Sequence, residues 1–343
     1  MTGTTPERVF AVDGLRVSYG DTEILRGVDL MLAPGEKVGV VGESGSGKST
    51  LALAVLGLLG AGGRITSGRV SVLGRDVTGL SDRELDRVRG RDLSLVFQDP
   101  LTSLDPVKTI GSQIGEALRR HNRGMSKRDV AKRSVELLSS VGVSAPERRL
   151  AQYPHEFSGG MRQRVLIAIA IANDPAVLIA DEPTTALDVT TQAQVMEVLE
   201  DLVASRGISV VLITHDLGVV AEFCDRVCVM YAGRIVESAG AAELFDRPAH
   251  PYSRALLASL ALPGRSRSEP LEWIPGAPPA MTSLPPGCAF APRCAMAEPR
   301  CAEAIPEPEA VFAAGGSPRW AECLRAGEVY DTHNGRVGAD HGA

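Results

Sequence analysis

The sequence predicts an α/β protein: a mostly parallel sheet covered by helices on both faces, with an antiparallel edge, an inserted helical subdomain and a loop-rich C-terminal extension. Three observations predict it. Short apolar runs at residues 37–41, 93–98, 177–181, 209–214 and 226–231 alternate with helical segments, the pattern of a buried parallel sheet. The first of these runs passes into a glycine loop and then into an apolar helix from Lys48. Between residues 100 and 157 the pattern changes: 110–120 and 127–141 have helical spacing with no strand between them, which marks a helical insertion.

Residues 9–19 alternate and read as edge strands that open a sheet. A globular domain is expected over 8–245. Beyond it, nine prolines between 248 and 286 mark a loop-rich extension over 246–331, with 332–343 expected as a flexible tail. No internal repeat and no long heptad run is present.

Composition bounds the function. Of 343 residues, 44% are hydrophobic and 23% charged, ordinary for a globular protein. Only 4% are aromatic, which argues against a stacking platform for single-stranded nucleic acid. A formal net charge of -6 argues against a long basic footprint on DNA or RNA. The start, MTGTTPERVF, lacks the basic and apolar regions of a signal peptide. The longest apolar runs, 51–59 and 165–172, fall well short of the roughly 18 residues of a membrane span. The expectation is a cytoplasmic protein that reaches a membrane only through a partner.

Three segments carry chemistry. Residues 42–49 read GESGSGKS and fit the phosphate-loop pattern. Its glycines let backbone N–H groups converge on phosphate oxygens, and the helix that follows points its positive end at them. Lys48 supplies charge to the β- and γ-phosphates and the Ser49 hydroxyl ligates Mg²⁺. Residues 177–182 read VLIADE, an apolar strand that ends in two carboxylates. Asp181 is placed to hold the Mg²⁺ shell and Glu182 to polarise an attacking water. Residues 158–160, inside FSGGMRQR, offer a hydroxyl and backbone donors at a helix start. Alone they would read as a helix cap, but their helix leads directly into VLIADE.

Taken together, Gly42–Ser49, Gln98, Ser158–Gly160, Asp181–Glu182, residues 186–188 and His215 resemble the ATP-binding-cassette ATPase family, in that family's order, over roughly residues 8–245. The resemblance implies ATP and Mg²⁺. It implies a nucleotide site built from Gly42, Ser44, Gly45, Gly47, Lys48, Ser49 and Thr50, with Tyr19 stacked on adenine. Gln98 would contact Mg²⁺ and the attacking water, and His215 would reach the γ-phosphate. Ser158, Gly159, Gly160 and Asp188 would act across a head-to-tail dimer on the site of a second cassette. Two residues depart from the common LSGGQ signature, Phe157 and Met161, and both leave the phosphate-facing Ser158 and Gly159 intact.

Architecture separates the members of the family. A DNA-maintenance cassette carries coiled-coil insertions, a translation factor two cassettes, and an exporter membrane spans on the same chain; none of these is seen. The wording at 94–106, 153–168 and 178–195, with HPYSRALL at 250–257 and PPGCAFAPRC at 285–294, resembles ATPase subunits of dipeptide and oligopeptide importers. The match is to the form called the D subunit. Its implied partners are a related F-type ATPase, two permease subunits and, indirectly, an external binding protein. Its implied place is the cytoplasmic face of the cell membrane, with no nucleic-acid partner. A nickel or other small-solute importer is the alternative, and a non-transport cassette acting on nucleic acid or ribosomes a more distant one.

Of six cysteines, Cys224 and Cys228 read as small core residues. Cys288, Cys294, Cys301 and Cys323 all fall in the extension. Four thiols in a loop-rich segment of a reducing compartment can hold a metal or a cluster. The subfamily resemblance implies [4Fe–4S], with zinc or unligated thiols as alternatives. The nucleotide site, built from residues before Phe245, is expected to be independent of this tail.

Overall fold

The computed structural model describes residues 8–185, 187–259, 273–311 and 319–332. The tail expected over 332–343 lies outside them from 333 onward, as does Ala186. In chain order the strands are β1 (Phe10–Tyr19), β2 (Thr22–Leu32), β3 (Lys37–Val41), β4 (Gly63–Val72), β5 (Arg75–Asp76), β6 (Leu93–Val96), β7 (Val177–Asp181), β8 (Ser209–Ile213), β9 (Arg226–Tyr231), β10 (Arg234–Gly240), β11 (Glu309–Ala310) and β12 (Trp320–Ala321). They form two sheets. One is antiparallel, in the order β2–β1–β4–β5; the other runs β11–β12–β10–β9–β3–β8–β7–β6.

The second sheet carries the site. β9, β3, β8, β7 and β6 are mutually parallel, and β3, β7 and β8 are buried along almost their whole length. The apolar runs in the sequence were therefore strands, because a sheet covered on both faces has no solvent side to make polar. The 93–98 run ends earlier than expected, at Val96, where Phe97 and Gln98 leave the sheet. In the antiparallel sheet the sequence showed only 9–19 clearly. β-bulges at Val12/Leu15 and Val17/Ser18 break the two-residue period on which such a reading depends.

The first six helices are α1 (Lys48–Val55), α2 (Asp82–Leu85), α3 (Pro100–Ser103), α4 (Ile110–His121), α5 (Lys127–Ser140) and α6 (Pro146–Arg149). They are followed by α7 (Gly159–Ala170), α8 (Val189–Arg206), α9 (Leu217–Phe223), α10 (Ala241–Asp246), α11 (Pro251–Ala258) and α12 (Ala326–Thr332). Side chains cap the long ones: Thr109 on α4, Ser126 on α5, Ser158 on α7 and Asp188 on α8 each accept a bond from a first-turn amide, the usual cure for the unpaired N–H groups there. The helical insertion is as expected. α4, α5 and α7 pack through Ile110, Ile114, Leu118, Leu137, Leu138 and Val165, all essentially buried.

The extension is not set apart from the cassette. β12 pairs with β10 at Ser238 and Glu237, so the extension adds two short strands to the edge of the main sheet. Behind that edge Glu237, fully buried, accepts from the Ala249 and His250 amides and pairs with buried Arg319 at 3.0 Å. Burial works to raise the Glu237 carboxyl, and these partners oppose it. Tyr252 and Phe290 of the extension lie in the same apolar cluster as Val229 and Val236 of the cassette.

Candidate functional site

β3, β8, β7 and β6 run in the same direction, so the segments that follow them emerge at one edge of the sheet. That is where ligands bind in open α/β folds. The phosphate loop follows β3, Thr214 and His215 follow β8, Asp181 ends β7 with Glu182 next, and Gln98 follows β6.

The loop over residues 42–49 has the backbone that its glycines allow. Gly42, Gly45 and Gly47 have φ of 154°, 80° and 108°. A Cβ on Gly42 would run into the Met230 carbonyl, so only glycine fits there. Gly47 ends the loop in a left-handed conformation, and no side chain caps α1. The first-turn amides of α1, including those of Ser49 and Thr50, therefore have no intrahelical acceptor. Ser46 Oγ is buried without a hydrogen-bond partner. An anion fits this cradle: it would meet unpaired amides, a positive helix end and an orphaned hydroxyl. Ser44 and Gly45 lie exposed at its rim.

Lys48 is buried, and its Nζ donates to the carbonyls of Gly42 at 2.7 Å and Glu43 at 3.0 Å. Burial lowers its pKa, against the pull of the Glu182, Asp181 and Glu43 carboxylates. Ser49 Oγ donates to Asp181 Oδ1 at 3.4 Å, the two hard oxygens expected for Mg²⁺. Burial raises the Asp181 carboxyl and the Ser49 bond opposes it.

Glu182 is the most constrained of these groups. Gln98 Nε2 donates to its Oε2 at 3.0 Å, Thr185 Oγ1 to the same oxygen at 2.8 Å, and His215 Nδ1 lies 3.2 Å from Oε1. Burial would raise this carboxyl, but the Thr185 and His215 bonds outweigh it and hold its pKa below the usual range. The backbone of Glu182 is left-handed at φ 47°, a strained state for a non-glycine residue that must be held by its surroundings. Here the Glu182 amide donates to the Ile213 carbonyl at 2.8 Å.

Tyr19, half-buried at the end of β1, lies over Gly63, where any Cβ would strike its ring. The structure does not bring Ser158, Gly159 and Gly160 to the loop. Ser158 is exposed at the start of α7 and accepts from the Met161 amide at 3.4 Å. Gly160 packs against Thr191, leaving no room for a Cβ. Asp188, also exposed, accepts from the Thr191 amide at 3.0 Å and hydroxyl at 2.7 Å, and these bonds lower its pKa.

Sequence reasoning missed Thr185, a hydroxyl one turn beyond Glu182 that no pattern marks. It also placed the whole site before Phe245 and gave no sign of a contact from the extension. Arg293, in the extension, pairs with Glu43 of the phosphate loop at 2.6 and 3.0 Å, and the Tyr252 hydroxyl accepts from the Glu43 amide at 2.9 Å.

Among the described residues Cys288, Cys294, Cys301 and Cys323 do not close into a group that could hold a metal ion. Burial raises the Cys288, Cys294 and Cys323 thiols, Cys323 to about 12. Cys323 nonetheless feels all three others. The Met296 amide donates to Cys294 Sγ at 3.3 Å and the Arg325 amide to Cys323 Sγ at 3.4 Å. Among the described residues no helix is long and apolar enough to cross a membrane.

Known proteins share this architecture. Residues 25–185 match the ABC transporter family, and residues 236–301 the oligopeptide/dipeptide transporter C-terminal region. The dipeptide transport ATP-binding protein DppD of Bacillus subtilis is 48% identical over 293 residues, covering 84% of this chain and 87% of its own length. A putative peptide import ATP-binding protein of Brucella abortus is 46% identical over 331 residues, 92% of this chain and 98% of its own. The oligopeptide transport ATP-binding protein OppD of Mycobacterium tuberculosis is 49% identical over 316 residues, and the chain spans about half of its length (50%). Among solved structures, a dimeric ATP-binding cassette with bound ADP and phosphate superposes with a TM-score of 0.60 at 32% identity, over 68% of this chain and 98% of that one. The cassette cbiO1 of Clostridium perfringens, part of an ABC transporter complex, does so with 0.62 at 28%, over 70% and 91%. The chain therefore belongs to the ATP-binding proteins of the ABC transporter family, in the group that carries the oligopeptide/dipeptide transporter C-terminal region.

Proposed function

We propose that the chain binds and hydrolyses ATP and that, paired with a second cassette, it drives peptide import through separate permease subunits. The observation that carries this reading is the Glu182 carboxylate, ionised and held by Gln98, Thr185 and His215 beside Asp181, Ser49 and Lys48. In this reading the loop from Gly42 to Thr50 binds the phosphates and Lys48 neutralises part of their charge. Mg²⁺, held by Ser49, Asp181 and Gln98, would supply further neutralisation of the β- and γ-phosphates. Glu182 accepts a hydrogen bond from the attacking water and orients it. His215, exposed and bonded to that same carboxylate, is placed to reach toward the γ-phosphate, and Tyr19 to stack on adenine.

Ser158, Gly159, Gly160 and Asp188 serve a second cassette, an F-type relative in this proposal. The exposure of Ser158, Gly159 and Asp188 on one chain supports the sharing. The working assembly then sits at the cytoplasmic face of the membrane with two permease subunits, fed by an external binding protein. The purified chain alone is expected to hydrolyse ATP slowly, and addition of the second cassette and the permease to raise the rate. Steady-state phosphate release checks this; an isolated chain as fast as the assembly would overturn the shared site.

The extension is proposed to hold a [4Fe–4S] cluster on Cys288, Cys294, Cys301 and Cys323. In a cubane each thiolate binds a different iron, so its four ligands stand wider apart than those of a single ion, and the N–H donors to Cys294 and Cys323 suit cluster sulfurs. Protein prepared without oxygen is expected to carry about four irons per chain, and Cys294→Ser to lose most of them. Anaerobic protein without iron would leave the four as ordinary thiols.

A further inference from the structure

The extension reaches the phosphate loop at one residue. Arg293 closes a short turn of 3-10 helix over Ala291–Arg293, immediately before Cys294, yet its guanidinium forks onto Glu43, 250 residues away in sequence. The pair is bidentate, and the Arg293 side chain is only 6% exposed. Nη1 also donates to the Tyr231 hydroxyl at 3.2 Å and Nε to the Pro275 carbonyl at 2.9 Å. The guanidinium is therefore fixed from three sides. Hydrogen bonding to Glu43 raises its already high pKa, so it stays charged.

Glu43 is held at its backbone too. Its amide donates to Tyr252, whose ring is fully buried against Tyr231 and Phe290 with centroids 4.5 and 5.3 Å away. On its other side the Glu43 carbonyl accepts from Lys48 Nζ. A continuous line of contacts thus runs from the cysteine-bearing turn through Arg293 and Glu43 to the lysine of the loop.

We infer that Arg293, assisted by Tyr252, is a positioning residue for the phosphate loop: the C-terminal extension holds Glu43, and through it Lys48, in the conformation that accepts the nucleotide phosphates. The inference rests on the ATP-binding reading above. A bidentate charge-assisted pair is stronger than a neutral hydrogen bond and fixes orientation as well as distance. Without it the loop must order itself when nucleotide arrives, which weakens affinity without touching the groups that act on water.

The test is equilibrium binding of a fluorescent ATP analogue with Mg²⁺ to the full chain, with kcat and KM measured on the assembled transporter. Arg293→Ala and Glu43→Gln are each expected to weaken binding about tenfold, the scale of one lost charge-assisted bond. The double variant should be no weaker than either single one, and Arg293→Lys should recover part of the loss. KM should rise with kcat near wild type, which a general loss of folding would not produce. Should Arg293→Ala fail to fold, Tyr252→Phe removes only the hydroxyl on Glu43 and should still weaken binding severalfold. Unchanged affinity in these variants, or additive losses in the double one, overturns the inference. A wild-type chain that binds no ATP analogue would instead overturn the ATP-binding reading itself.

Discussion

Glu182→Gln is expected to leave nucleotide binding intact and to reduce ATP turnover by about 10²–10⁴-fold, the usual cost of losing a general base. The amide keeps the shape of the carboxylate and one carbonyl oxygen for the Gln98 and Thr185 donors, so the local structure has little reason to move. What disappears is the negative charge. Glu182 is ionised at neutral pH because the Thr185 and His215 bonds outweigh its burial. Only the charged form accepts strongly from water while a proton is leaving. Its loss should also ease repulsion of the incoming phosphates, so affinity should be equal to or tighter than that of the native chain. Steady-state ATPase on the assembled transporter, beside an equilibrium titration of the same variant, checks both halves. Turnover near wild type would remove Glu182 from the role.

Lys48→Ala should fail at an earlier stage. Nucleotide affinity is expected to fall by about 10- to 100-fold, since a hydrogen bond to a charged group contributes ~1.5–3 kcal/mol. Two effects act together. The ammonium no longer offsets phosphate charge, and the carbonyls of Gly42 and Glu43 lose the donor that draws the loop closed. The same variant keeps Glu182 and its partners, so any residual turnover at saturating ATP reports on positioning rather than on the base. Titration with a labelled ATP analogue is the measurement, with thermal melting of the nucleotide-free chain to show that the fold persists. Unchanged affinity would mean that residues 42–49 are not a phosphate loop.

Most of the site was legible because most of it is local. GESGSGKS at 42–49 and VLIADE at 177–182 each carry their chemistry within one stretch of chain: a buried strand, then a turn whose residue types permit few conformations. The same holds for Ser158, whose role as a helix cap follows from its own neighbours. Less was legible in the first sheet. There β-bulges break the alternation of β1 against β2 and β4, and periodicity loses its meaning across each shift.

By itself, then, the sequence determined the fold class, the glycine-built loop between the first parallel strand and its helix, the two carboxylates at a strand end and the helical insertion, since each is written in local periodicity or in residues with restricted backbones. Only the tertiary structure decided that Gln98, Thr185 and His215 meet on one carboxylate. That meeting depends on β6, β7 and β8 lying side by side, and a strand's apolar pattern states that it is buried without stating against which neighbour. The tertiary structure alone also joined Arg293 to Glu43 and set β12 on the edge of β10. Contacts between segments so far apart in the chain leave no periodic trace, because side-chain complementarity is satisfied in space and not along the sequence.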